Sequence, residues 1–172
     1  MGEIASENAQ VIIVTSGGEK AVPRALRFEA KTINPQATPT AKGVAAIKML
    51  DDPIIGGAIA EPKSLDKGYA VVVTDKGYIK RIALEEFPIQ GRGGQGVQLW
   101  KINQSTGLIS GFTVVSTVST DVDIYSQRGK RLRMAVKDLP EASRAAKGVD
   151  LRELIKANDL FGSEPVAGIT ST

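Results

Sequence analysis

Three stretches of this chain follow one plan, set apart by a constant offset. Gly77 and Gly129, Phe87 and Leu139, and Gly96 and Gly148 are each 52 residues apart, so the second and third copies align without a gap. Between the first and second copies, Thr15 to Thr74 and Phe28 to Phe87 are 59 apart, whereas Gly43 to Gly96 is 53. That difference is expected in the first copy's loop, Glu29 to Ala41, which carries Pro35 and Pro39. Self-similarity at this period marks a repeat architecture, and insertions fall in loops. The reading divides the chain into a tail (1–8), a degenerate first repeat (9–62), a second (63–119) and a third (120–172).

Within a copy the local pattern is β. Val11 to Thr15 and Val71 to Thr74 are short β-branched runs that stop at glycine-bearing turns, as a hairpin requires. After the third copy's turn, Leu132, Met134 and Val136 alternate with Arg131, Arg133 and Lys137, which puts the two sets on opposite faces of a strand. Tyr125 takes the strand position that Val73 holds one copy earlier. A third strand is expected from Val97 to Ile102 and a fourth after the turn at Asn103 to Gly107. Four short strands per repeat of about fifty residues is the arithmetic of a propeller blade, so the expected fold is all-β with three propeller-type blades. Leu151, Leu154 and Ile155 have helical spacing, but the repeat favours a strand there.

The distribution of charge says more than its total. The net charge is only +3, yet the stretch from Arg128 to Lys147 holds seven basic residues against two acidic ones. Positive charge concentrated in this way suits a polyanion, although a solvated face is the bland alternative. Cysteine and histidine are absent, which removes disulfides, thiolate chemistry and the commonest general base and zinc ligand. Asp121 and Asp123, two apart at a strand start, read as a polar edge rather than a metal pair. No catalytic residue, cofactor or metal is expected. No apolar run is long enough to cross a bilayer.

The most distinctive segment is Gln90-Gly91-Arg92-Gly93-Gly94-Gln95-Gly96. Gly91, Gly93 and Gly96 fit the dinucleotide-binding spacing, but that fingerprint has content only between a strand and a helix. Here Pro88 precedes it and VQLWKI follows. A glycine-rich rim loop is the better reading, with backbone and Arg92 brought close to phosphates. A tight exposed turn between strands is the alternative.

The segment VVVTDKGYIKRIALEEFPIQGRGGQGVQLWKI resembles a blade of the C-terminal domain of the gyrase A protein of bacteria and of its topoisomerase IV counterpart. QGRGGQG resembles that family's box, Q-R-R-G-G-K-G; SRAAKGV resembles a degenerate box, and PQATPTAKGV keeps only its end. The resemblance implies a β-pinwheel, in which blades exchange strands, and a basic rim that bends double-stranded DNA to support supercoiling. It implies DNA contacts from Gln90 to Gly96, with Lys80, Arg81, Arg131, Arg133, Arg144 and Lys147 compensating for a box in which Gly91 and Gln95 replace an arginine and a lysine. It further implies a topoisomerase catalytic core as partner, no catalysis in this chain, and a bacterial cytoplasmic, nucleoid-associated location. Open terminal edges suggest self-association to complete a ring. The rival expectation is a propeller scaffold for protein partners, such as a regulator of a topoisomerase.

Overall fold

The computed structural model describes residues 6–61, 67–101, 103–155 and 164–172. Among these residues are eleven strands: β1 (Gln10–Thr15), β2 (Arg24–Glu29), β3 (Ile54–Ala60), β4 (Tyr69–Thr74), β5 (Tyr78–Ala83), β6 (Val97–Gln98), β7 (Ile109–Val115), β8 (Asp121–Ser126), β9 (Arg131–Ala135), β10 (Val149–Asp150) and β11 (Val166–Ser171). They form three antiparallel sheets: β3-β1-β2-β6 (sheet 1), β10-β5-β4-β7 (sheet 2) and β11-β8-β9 (sheet 3). The all-β, propeller-type fold expected from the repeat is therefore present.

Each sheet is built on a hairpin whose turn is set by local chemistry. Gly77 (φ +87°) and Gly129 (φ +82°) take the left-handed conformation that closes β4–β5 and β8–β9, and each donates its N–H back to the last strand residue, Thr74 and Ser126. The hairpin strands of sheet 2 are buried on both faces, which is why β4 reads as an unbroken apolar run. Ala70 and Val72 pack towards sheet 1 in one core cluster, with Ile12, Val14 and Trp100. Val71, Val73 and Ile79 pack towards sheet 3 in another, with Val122, Ile124 and Leu132. Each sheet thus has a leading face, turned to the preceding sheet, and a trailing face, turned to the next.

Strands are exchanged between repeats. β6 belongs to the second repeat but pairs with β2, with Val97 opposite Ala25. β10 belongs to the third and pairs with β5, with Val149 opposite Ile79. The fourth strand of a sheet is thus donated by the following repeat, and sheet 3 has three strands among the described residues.

Three expectations need correction. The extra residues of the first repeat lie mainly in its hairpin connection and not between Glu29 and Ala41. β1 and β2 are joined by residues 16–23, whereas β4 and β5 are joined by 75–77. Phe28 consequently sits within β2, opposite Val11, and Ile33 is the true counterpart of Phe87: each closes a 3₁₀ turn, donating to Ala30 and Leu84 respectively. The donated strand is also short, since β6 ends at Gln98; Ile102 is outside the described residues. Finally, Leu151–Ile155 is a one-turn helix, α1, rather than a strand. The Asp150 carboxylate accepts the Arg152 N–H at 2.9 Å and so caps the turn, where the second repeat has Gln98. Leu151 is buried, and Leu154 and Ile155 pack on the core between sheets 2 and 3.

Candidate nucleic-acid interface

The loops that precede the donated strands form a belt along the outer edge of the sheets. Loop 90–96 lies against the first repeat's segment 45–48: Gly93 donates to the Ala46 carbonyl and Lys48 to that of Gly94, both at 2.8 Å. Arg92 adds two charged hydrogen bonds, Nε to Thr32 O at 3.1 Å and Nη1 to Ala45 O at 2.6 Å. Beneath it, Arg24 pairs with Asp52 at 2.7 Å and extends Nη1 to the carbonyls of Lys48 (3.1 Å) and Gln95 (2.6 Å). Burial works to raise the Asp52 pKa, but the hydrogen bonds and charge of Arg24 outweigh it and hold the carboxyl below its ordinary value.

The third repeat's loop, 142–148, is held by different means. Lys80 is fully buried, and its ammonium donates to the carbonyls of Ser143 (3.0 Å), Arg144 (2.8 Å) and Ala146 (2.8 Å) while lying 4.2 Å over the Trp100 ring. Burial lowers its pKa to about 8, against the opposing effect of Glu86. Glu86 accepts the Arg144 N–H at 3.1 Å, and Arg144 Nη1 donates to the Gln98 carbonyl at 2.7 Å. Lys147 is exposed, its Nζ 4.8 Å over the Tyr78 ring.

The predicted binding residues therefore divide. Gln90, Gly91, Arg92, Gly93, Gly94, Gln95 and Gly96 form one continuous loop on the belt, and Arg144 and Lys147 lie on its next segment. Lys80 and Arg81 are not rim cations. Lys80 is enclosed, and Arg81 is tucked over Tyr69 at 4.9 Å, with Nη2 3.4 Å from Glu141. Arg131 and Arg133 lie on the trailing face of sheet 3, at 3.8 Å and 2.8 Å from Asp123. The Arg133 hydrogen bond depresses the Asp123 pKa, so this carboxylate is committed to an ion pair.

Sequence reasoning missed Lys42, Lys48 and Lys101. Lys42 precedes Gly43 as Lys147 precedes Gly148; Lys48 and Lys101 are 53 residues apart, the offset of Gly43 and Gly96. All three are exposed, and among the described residues none of them, nor Arg92, Arg144 or Lys147, forms a salt bridge. The belt thus carries positive charge without carboxylate partners among the described residues, and one of its loops, 90–96, is rich in glycine.

Exchanged strands, blade-like sheets and box loops along one edge define a β-propeller of the pinwheel kind. A family model described as "DNA gyrase C-terminal domain, beta-propeller" matches residues 68–116 and 126–153. The chain belongs to that family. It is 34% identical over 130 residues to the DNA gyrase A protein of Staphylococcus epidermidis and 33% identical to that of Staphylococcus aureus, matching 75% of this chain and 14% of either relative. In fold it is similar to the C-terminal domain of DNA topoisomerase IV (TM-score 0.79, 21% identity, 96% of this chain and 47% of that one). It is likewise similar to the DNA gyrase A C-terminal domain (TM-score 0.73, 17% identity, 96% and 51%). The chain spans about half the length of those solved domains and a small part of the full gyrase A proteins.

Proposed function

We propose that this chain is a non-catalytic module that binds double-stranded DNA without sequence preference and bends it along the belt, in support of a topoisomerase core. The observation that carries the reading is the set of belt cations Lys42, Lys48, Arg92, Arg144 and Lys147, which have no carboxylate partner among the described residues; Arg92 stands on a loop with four glycines in seven residues. Phosphates neutralised by such groups release counterions, and curvature follows from contacts on successive repeats. Family membership supports the reading. No described helix is long and apolar enough to cross a membrane. Self-association into a ring is not part of it, because the trailing face of sheet 3 is charged.

The test is duplex binding as a function of salt. With about five phosphates neutralised, log affinity falls with log salt at a slope of roughly −4 to −5. A flat salt response removes the mechanism and favours a protein scaffold.

A further inference from the structure

The three sheets share a register but not a surface. On the trailing face of sheet 1 stand Ile12, Val14 and Ala25, and on that of sheet 2 Val71, Val73 and Ile79; all are buried. Strand pairing puts Asp123, Tyr125 and Arg131 at the same three places in sheet 3. Arg133 occupies the register of Arg27 and Arg81. Arg27 reaches across to the next repeat, donating Nη1 to the carbonyls of Leu84 (2.8 Å) and Phe87 (3.0 Å). Arg133 instead folds back on its own sheet and grips Asp123 through Nε (2.8 Å) and Nη2 (2.9 Å).

The other end has the opposite character. Ile33 stands where Phe87 and Leu139 stand, closing the same 3₁₀ turn. Those two are 1% and 2% exposed between sheets, whereas Ile33 is 42% exposed. Ile59, opposite Val11, corresponds to Val114, opposite Ala70. Val114 packs into the core between sheets 1 and 2, whereas Ile59 is 63% exposed. Lys42-Gly43-Val44 repeats Lys147-Gly148-Val149, with φ +73° at Gly43 and +79° at Gly148. Val149 pairs with Ile79, but Val44 is exposed and belongs to no strand. What each repeat offers to the one before it is present on the first repeat: Ile47 of the same repeat covers Leu26 and Phe28, but Ile33, Val44 and Ile59 stand open.

We propose that the leading face of the first repeat, centred on Ile33, Val44 and Ile59, docks another blade of this fold that has an apolar trailing face, while sheet 3 is an end cap that admits none. The occupant is identified by continuity with the two interior interfaces, which use the same positions. A second copy of this chain is excluded as occupant by charge. Its sheet 3 would press Arg131 and Arg133, whose side chains are half-exposed beside the buried Asp123, against isoleucines, taking two guanidiniums out of water with no new partner. Polar outer faces are how repeat arrays stop growing, so this arc extends from one end only.

Sedimentation velocity on designed variants tests both halves, without DNA and hence independently of the function proposed above. The wild-type chain keeps a monomer's mass at every concentration. The triple variant Asp123→Val, Tyr125→Val, Arg131→Ile gives sheet 3 the trailing face of sheet 2, and it assembles head to tail. Adding Ile33→Glu and Ile59→Glu returns it to a monomer. Oligomers of the wild type overturn the cap, and a folded triple variant that stays monomeric overturns the docking face. A second measurement serves if the triple variant does not fold: the wild type binds the apolar dye ANS, and Ile33→Glu with Ile59→Glu abolishes the signal. An unchanged signal overturns the docking face.

Discussion

Nη1 of Arg92 donates to the carbonyl of Ala45 at 2.6 Å, so the arginine of one box grips the backbone just beyond the box before it. Arg144 repeats the contact one period later, on Gln98 at 2.7 Å. These guanidiniums are stitches between successive rim loops as much as they are charges. Arg92→Ala is accordingly expected to reduce DNA curvature, read by a bending assay, more than affinity. Amide exchange at residues 45–48 should quicken, and stability should fall by about 1 kcal/mol. Affinity and curvature falling together, with exchange unchanged, would make Arg92 a plain phosphate contact.

Arg24 ties the interior to the belt. It is 5% exposed, and its partner Asp52 is 2% exposed. Arg24→Ala leaves a buried carboxylate alone and removes the donor to Lys48 and Gln95, so a loss of about 3–5 kcal/mol is expected in urea denaturation. The Asp52 pKa lies below its ordinary 3.8. The stability this contributes is complete above that value and disappears as pH falls through the depressed one. The wild type should lose stability on acidification through that range, and Arg24→Ala should lose much less.

The repeat is legible in the sequence because turn chemistry is local: Gly77 and Gly129 mark the same bend at a fixed spacing. Alternation likewise places Leu132 and Met134 opposite Arg131 and Arg133 without any tertiary information. The destination of a donated strand is not written in that way, since Val97 and Val149 read the same whether they pair within a repeat or outside it; the exchange follows from the family resemblance. Lys80 passes for a rim cation because charge usually seeks water. Its register is the available warning, as Leu26 and Leu132 occupy it in the other sheets. The first hairpin misleads because Phe28 and Phe87 share an identity without sharing a place.

Lys80 also makes folding depend on pH in an unusual direction. Its pKa is about 8 when folded, below the ordinary 10.5. At lower pH both states are protonated, and the folded state bears the cost of a buried charge. Between about 8 and 10.5 the folded chain releases the proton while the unfolded chain keeps it, so stability rises with pH across that window. The rise is at most about 3 kcal/mol. Glu86 and Arg144, which flank the ammonium, act on it in opposite directions. Urea midpoints of the wild type minus those of Lys80→Met isolate the effect; a difference that falls with pH would contradict the lowered pKa.

The box glycines suggest room for DNA, but the structure separates their duties. Gly96 has φ +81°, and a Cβ there would lie 2.6 Å from the Ala25 carbonyl oxygen, on the strand that receives Val97. Gly91 has nothing within 4 Å of its would-be Cβ. Gly96→Ala combines left-handed strain with a backbone clash, and neither atom can move without unseating β6. A loss of about 2–4 kcal/mol is expected, together with faster exchange of the β2 and β6 amides. Gly91→Ala should change stability by less than about 0.5 kcal/mol. A DNA-binding defect in Gly91→Ala at unchanged stability would then report on the approach of the duplex to the loop. If Gly96→Ala proved as stable as the wild type, the strand exchange that orders the belt would not depend on the close approach of Gly96 to Ala25.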